Sequence, residues 1–219
     1  MHPGLVIFDC DGVLIDSEAI ACRADAGCLA EIGVVMGADE IMDRYLGISA
    51  TAMCADIEQR CGVTLPKDFV ATLHRRAAEV FDAELVAMPG VEALLQALPH
   101  RRCVASSSAP HRLRHSLSLT GLLGHLEPHV FSATQVARGK PAPDLFLFAA
   151  EAMQAPSASC IVVEDSVPGV RAAVAAGMRA IGFTGGEHCR RDHAERLRAA
   201  GAAAIAADML SLSALLSSA

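Results

Sequence analysis

Two hydrophobic rhythms alternate along the chain. Short, continuous apolar runs occur at Leu5-Val6-Ile7-Phe8, Cys103-Val104-Ala105, Cys160-Ile161-Val162-Val163 and from Arg179 to Phe183. Runs of this length, bounded by Gly or polar residues, predict strands buried on both faces, as in a parallel sheet. Val130-Phe131 and Ala203 to Ile205 predict two weaker strands. Segments with helical character separate them, over 91–98, 110–119, 143–153, 168–176 and about 192–200, with a final helix at the end. Strand alternating with helix predicts an α/β fold in three layers, a parallel sheet with helices on both faces.

One stretch breaks the alternation. From Ser17 to about Val86 the pattern predicts helices only, over 17–32, 38–46, 49–61 and 66–83. Ser17 is placed to cap the first, with Glu18 in its first turn. Phe69, Val70, Leu73, Ala77, Val80 and Phe81 form the apolar stripe of the last. Four helices between two stretches of α/β pattern predict an inserted helical domain at 17–86, with the α/β core formed by 1–16 and 87–219.

The 219 residues are 53% hydrophobic but only 4% aromatic, with no Trp and one Tyr, so the core is built mostly from Ala, Leu, Val and Ile. A net charge of -7 argues against a nucleic-acid partner, which usually meets a basic surface. None of the eight Cys forms a Cys-x-x-Cys pair, and several lie in apolar runs, which suits buried thiols in a reducing compartment. No apolar run approaches the ~20 residues of a membrane span, and the first strand begins within a few residues of Met1. The expectation is a cytoplasmic protein, a monomer or small homo-oligomer, with no membrane partner.

Four predicted strand ends and loops carry polar chemistry. The first strand runs into Asp9-Cys10-Asp11-Gly12, the second into Ser106-Ser107-Ser108, and the fourth into Glu164-Asp165-Ser166; Gly139-Lys140-Pro141 adds a rigid loop. Each has an ordinary alternative: a strand followed by an Asp-Gly turn, a polar loop, a helix cap, a solvated lysine. In a parallel sheet, however, such ends share one edge, where open α/β folds bind their ligands. Acids from two strand ends suit Mg²⁺, and a hydroxyl and an ammonium beside them suit a phosphate. Phosphoryl transfer needs this combination of positioning and charge neutralisation.

Phe8-Asp9-Cys10-Asp11-Gly12-Val13-Leu14-Ile15-Asp16-Ser17-Glu18, the strand ending at Ser106, Gly139 to Asp144 and Val162 to Gly169 resemble the motifs of haloacid-dehalogenase-superfamily hydrolases. The resemblance is to the subgroup that includes β-phosphoglucomutase and small sugar-phosphate phosphatases. The first motif and Phe81-Asp82-Ala83-Glu84-Leu85 look most like bacterial 6-phosphogluconate phosphatases. The resemblance implies a Rossmann-like core with a helical cap and an Mg²⁺-dependent phosphatase acting through an aspartyl-phosphate on a small phosphorylated metabolite, a sugar or sugar-acid phosphate. By the same resemblance Asp9 is the nucleophile and Asp11 the general acid and base. Ser106, Ser107 and Lys140 hold the phosphoryl group. Asp9, Asp11 (through its backbone carbonyl), Glu164 and Asp165 surround the metal, with Glu164 either a ligand or a neighbour of one.

Rival readings are a phosphosugar mutase and a phosphate-binding or signalling module without turnover. The loop Leu46-Gly47-Ile48-Ser49-Ala50-Thr51 has none of the basic residues with which a mutase grips a second phosphate. Asp11 is the additional acid that dehalogenases lack. Arg23 and Arg44 are candidate partners for a substrate carboxylate, or else solvated helix positions. His188, Cys189 and His193 fit no common zinc spacing and read as part of a charged surface loop.

Overall fold

A computed structural model describes residues 4–46 and 48–218. The chain divides into two compact units, one running to Asp16 and resuming at Val86, the other Ser17–Leu85.

The first unit is built on six strands: β1 (Leu5–Phe8), β2 (Arg102–Ser106), β3 (Val130–Ser132), β4 (Cys160–Glu164), β5 (Arg179–Phe183) and β6 (Ala204–Ala206). All pairings are parallel, in the order β3-β2-β1-β4-β5-β6. Side-chain alternation sorts the strands into two faces. Leu5, Ile7, Cys103, Ala105, Cys160, Val162 and Ala180 pack against Leu145, Phe146 and Ala149, against Val170, Ala172 and Ala173, and against Leu197. These helical residues belong to Asp144–Ala152, Val167–Ala175 and His193–Ala200. The opposite set, Val6, Phe8, Val104, Val163 and Ile181, is equally buried, so helices cover both faces.

The second unit contains α1 (Glu18–Glu31), α2 (Ala38–Tyr45), α3 (Ala50–Cys61) and α4 (Phe69–Glu84). Leu29, Ile41, Met53, Ile57, Phe69 and Leu73 share its core. Ser49 caps α3 by accepting the Ala52 N–H at 3.3 Å. Two local expectations fail. Ser17 stands at the start of α1, but it is completely buried and its side chain caps nothing there. The last helix begins at Phe69 rather than Pro66, because Pro66 to Asp68 forms a turn in which the Phe69 N–H reaches the Pro66 carbonyl. Gly47 lies outside the described residues, so the loop invoked against a mutase is described only in part.

In the first unit the remaining helices are α5 (Val91–Ala97), α6 (Pro110–Leu119), α7 (Leu123–Leu126), α8 (Asp144–Ala152), α9 (Val167–Ala175), α10 (His193–Ala200) and α11 (Met209–Ser217). The four-residue α7 is too short to leave a periodic signal in the sequence. No helix among the described residues is long and apolar enough to cross a membrane. No disulfide joins the cysteines, and Cys10, Cys22, Cys28, Cys54, Cys103 and Cys160 are buried as small apolar side chains.

Candidate active site

Register brings the site together. Phe8 pairs with Val104 on one side and Val163 on the other. Asp9 therefore leaves β1 level with the end of β2, which carries Ser106, and of β4, which carries Glu164 and Asp165. The Asp9 N–H extends the ladder to the Val163 carbonyl at 3.0 Å. The chain departs to opposite sides of β1, which makes this edge the topological switch point. Asp9 and Glu164 continue the alternation of the face that α8 and α9 cover, and Lys140 lies in the loop that leads into α8.

Lys140 joins the two acids. Its Nζ donates to Asp9 Oδ1 at 2.7 Å and to Glu164 Oε1 at 2.6 Å, with only 5% of the side chain exposed. It also lies 4.9 Å from the centre of the Phe146 ring. Burial opposes its charge, but Asp9 and Glu164 outweigh burial and raise the ammonium pKa.

Asp9, Glu164 and Asp165 are all buried and bring carboxylate oxygens within 4.8 Å of one another. Burial, followed by the like charge of Glu164 and Asp165, pushes the Asp9 pKa well up against the pull of Lys140. Burial and Glu164 do the same to Asp165. Three acids beside one ammonium leave an excess of negative charge, so the donor set suits a hard divalent cation.

Both oxygens of Glu164 are held by protein donors. While Oε1 accepts from Lys140, Oε2 accepts from both the N–H and the hydroxyl of Ser166 at 2.9 Å. Ser166 in turn caps α9 by accepting the Gly169 N–H at 3.1 Å. A side chain at Gly169 would place Cβ only 1.8 Å from Glu164 Oε1, so this glycine makes room for the carboxylate.

The Asp11 carboxylate stands outside the acidic cluster. Oδ2 accepts from Ser108 Oγ at 2.8 Å and Oδ1 from the Arg112 guanidinium at 3.0 Å. Directly after Asp11 the chain turns at Gly12, whose φ is +78° and whose N–H donates to the Ile15 carbonyl at 2.8 Å. A Cβ there would lie 2.0 Å from Asp165 Oδ2. Ser106 is buried, with its Oγ accepting the Ser108 N–H at 3.0 Å, and Ser107 is exposed.

The sequence reading passed over Ser108 and Arg112. Ser108 was visible only as the third member of a serine run. Arg112 carried a usable signal, since it lies in the first turn of α6, where the helix dipole disfavours a cation unless an acid answers it. The surface-loop reading of the His188 region is overturned: His188 and His193 are 1% and 3% exposed. His188 Nε2 lies 2.7 Å from Asp165 Oδ2, and His193 Nε2 lies 2.5 Å from the Asp165 carbonyl oxygen. Arg23 and Arg44 pair with Glu84 and Glu40 at 2.6 and 2.9 Å on the helical unit.

Comparison with known proteins identifies the family. A family model for haloacid dehalogenase-like hydrolases matches residues 3–177. The chain belongs to that family. It is 35% identical to the 6-phosphogluconate phosphatase of Escherichia coli K12 over 184 residues, 84% of this chain and 83% of that one. Among solved structures, a haloacid dehalogenase-like protein of unknown function from Agrobacterium tumefaciens aligns over 98% of both chains, with TM-score 0.90 and 35% identity. A family hydrolase from Deinococcus radiodurans, solved with bound phosphate and sodium, aligns over 98% of this chain and 95% of its own, with TM-score 0.84 and 32% identity. Within the family this haloacid dehalogenase-like chain is a hydrolase of phosphoric monoesters.

Proposed function

We propose that this hydrolase removes phosphate from a small phosphorylated sugar or sugar acid, with Asp9 as nucleophile and Mg²⁺ as cofactor. The observation that carries the reading is the division of labour between two acids of one motif. Asp9 is buried against Lys140 at 2.7 Å, whereas Asp11 turns to Ser108 and Arg112. A nucleophile and a general acid need such different surroundings.

In this scheme an Asp9 oxygen attacks phosphorus and the bond from phosphorus to the leaving alcohol oxygen breaks. Asp11 gives that oxygen its proton. Asp11 then takes a proton from water as the water attacks the aspartyl-phosphate, which releases inorganic phosphate and restores Asp9. Lys140, which neutralises Asp9 and Glu164, would neutralise the transferring phosphoryl oxygens as well, and Ser106 with Ser107 completes the phosphate seat. Asp9, Asp165 and the Asp11 carbonyl would hold Mg²⁺, with Glu164 fixing Lys140 beside them. The bound cation supplies charge neutralisation that lets an anionic nucleophile approach an anionic phosphate. Substrate choice is assigned to the helical unit as a cap, and the named relative makes 6-phosphogluconate the first compound to try.

The test is phosphate release by the purified protein from a panel of sugar and sugar-acid phosphates, with Mg²⁺ and with chelator. Mg²⁺-dependent release that Asp9→Asn abolishes supports the scheme. Release from the folded protein that survives chelation, or that Asp9→Asn leaves above about a tenth, overturns it.

A further inference from the structure

The loop after β5 sends two buried histidines to one residue. His188 reaches the side chain of Asp165, with Nε2 2.7 Å from Oδ2, and His193, the first residue of α10, reaches its backbone carbonyl at 2.5 Å. The rings meet edge to face, with centroids 5.7 Å apart. A carbonyl oxygen only accepts, so His193 presents an Nε2–H to Asp165. An ionised carboxylate also only accepts, so His188 presents one to Asp165 in the ionised form that would bind a cation, with Cys189 Sγ 3.3 Å from the same Nε2.

The seat of His188 is specifically shaped. A Cβ on Gly12 would come within 2.8 Å of its Cε1, and one on Gly186 within 2.5 Å of the same atom. Two glycines, one from the nucleophile turn and one from the loop, leave the volume that the ring fills. Asp165 is thus gripped at its side chain and its main chain, from the loop and the helix start that follow β5.

Composition offers a competing use. His188, Cys189 and His193 bring one ligand atom each within 4.8 Å, as a transition-metal site would. In the structure both Nε2 atoms already have partners on Asp165, and His188 Nε2 also lies 3.3 Å from Cys189 Sγ, so a metal held through Nε2 would have to displace these contacts.

We propose that His188 and His193 are positioning residues that hold Asp165 ready for the cation. The inference rests on the reading of Asp165 as a cation ligand. Hydrogen-bonded partners of ligating carboxylates act in this way, and their loss typically costs about 10–100-fold in metal affinity.

Mn²⁺ binding to the purified protein, followed by electron paramagnetic resonance with Mg²⁺ as competitor, tests this without reference to turnover. His188→Leu should weaken Mn²⁺ about 10–100-fold, while His188→Gln, which restores a donor near the Nε2 position, should stay within about threefold of the parent. Circular dichroism of the metal-free variants checks that both are folded. Equal weakening in Leu and Gln would make His188 a packing residue and overturn the proposal. Unchanged affinity in His188→Leu, with binding lost in Asp165→Asn, would overturn it and leave the cation reading intact. Unchanged affinity in Asp165→Asn would remove the cation reading and the proposal together. Stoichiometric Zn²⁺ binding that Cys189→Ser abolishes would make the trio a metal site instead.

Discussion

The Arg112 guanidinium holds Asp11 Oδ1 at 3.0 Å, two residues along the chain from an Asp9 carboxylate that is held by a buried ammonium. Neighbouring acids with unlike partners are what a two-step displacement requires, and they separate the two roles experimentally. p-Nitrophenyl phosphate has a leaving group that needs no proton, so Asp11→Asn should still allow the first step on it. The second step, which needs a base for water, should slow about 10²–10⁴-fold. Rapid-quench or stopped-flow measurement should show a burst of nitrophenolate of about one equivalent per site, then a slow phase. A linear time course from the first turnover would remove Asp11 from the second step.

Lys140 is the only ammonium that bridges Asp9 and Glu164 in the described structure, with Nζ 2.7 and 2.6 Å from them. Removing one partner of a buried ion pair costs about 3–5 kcal/mol. Protonation of the remaining acids limits that cost, so the expected loss for Lys140→Met is at the lower end, about 3 kcal/mol. For a chain of this size that corresponds to about 6–12 °C in Tm. Mg²⁺ should recover part of the loss, since it supplies the missing positive charge. Scanning calorimetry of the variant with and without Mg²⁺ checks both statements, and a Tm change below about 2 °C in chelator would contradict the first.

Much of this arrangement was legible in the sequence, for physical reasons. A strand buried on both faces must be apolar throughout, so β1 and β4 announced themselves, and the acids that follow them were conspicuous against those runs. Parallel pairing then required the strand ends to share an edge. The state of each side chain was not legible. Glu164 could be read equally as a ligand or as its neighbour, because only the structure supplies the Ser166 donors and the gap at Gly169. His188 was misread because a loop rich in charge gives no sign that one of its members is turned inward, and Gly12, one of the two glycines that accommodate it, lies far away in the sequence. Ser17 illustrates the opposite error, a good capping residue at the right position whose side chain does not cap.

The raised pKa values of Asp9 and Asp165 have a sign that can be tested. Each is pushed up first by burial, then by neighbouring acids. Between the ordinary carboxylate range, about 4, and the raised values, Asp9 and Asp165 in the folded metal-free protein keep protons that the unfolded chain has lost. Their contribution to stability should therefore fall as pH rises through that window, while His193, whose pKa burial lowers, contributes in the opposite sense below about 6.5. Comparison with Asp9→Asn isolates the carboxylate part, and the parent should lose stability with pH relative to that variant. In the proposed scheme Mg²⁺ binds the ionised acids, so the stabilisation it adds should grow with pH. Urea unfolding in chelator and in Mg²⁺ at several pH values from about 5 to about 8 gives all three slopes. If the parent in chelator gained stability with pH relative to Asp9→Asn, burial would not be controlling Asp9.

Gly169 provides the last prediction, because two effects of known size oppose each other there. It lies within α9, where alanine is usually favoured over glycine by about 1 kcal/mol. Here a Cβ would lie 1.8 Å from Oε1 and 1.9 Å from the carboxyl carbon of Glu164. Glu164 cannot retreat freely, because Lys140 and Ser166 hold both of its oxygens. Overpacking at such a site costs about 1–3 kcal/mol, and displacing a buried hydrogen-bonded carboxylate adds about 1–3 kcal/mol more. The clash should outweigh the helix preference, so Gly169→Ala should destabilise by about 1–5 kcal/mol. Since Glu164 orients Lys140, the same substitution should lower kcat on sugar phosphates, although Gly169 itself touches no substrate. Gly177, which closes the same helical segment, has nothing within 4 Å of its Cβ position, but its φ of +71° makes it an unsuitable control. Gly27, within α1 and also with nothing within 4 Å, is the suitable one. Gly27→Ala should be neutral or stabilising by up to about 1 kcal/mol. A Gly169→Ala protein whose urea midpoint moved with that of Gly27→Ala would show that Glu164 does not occupy the position on which the arrangement around Lys140 depends.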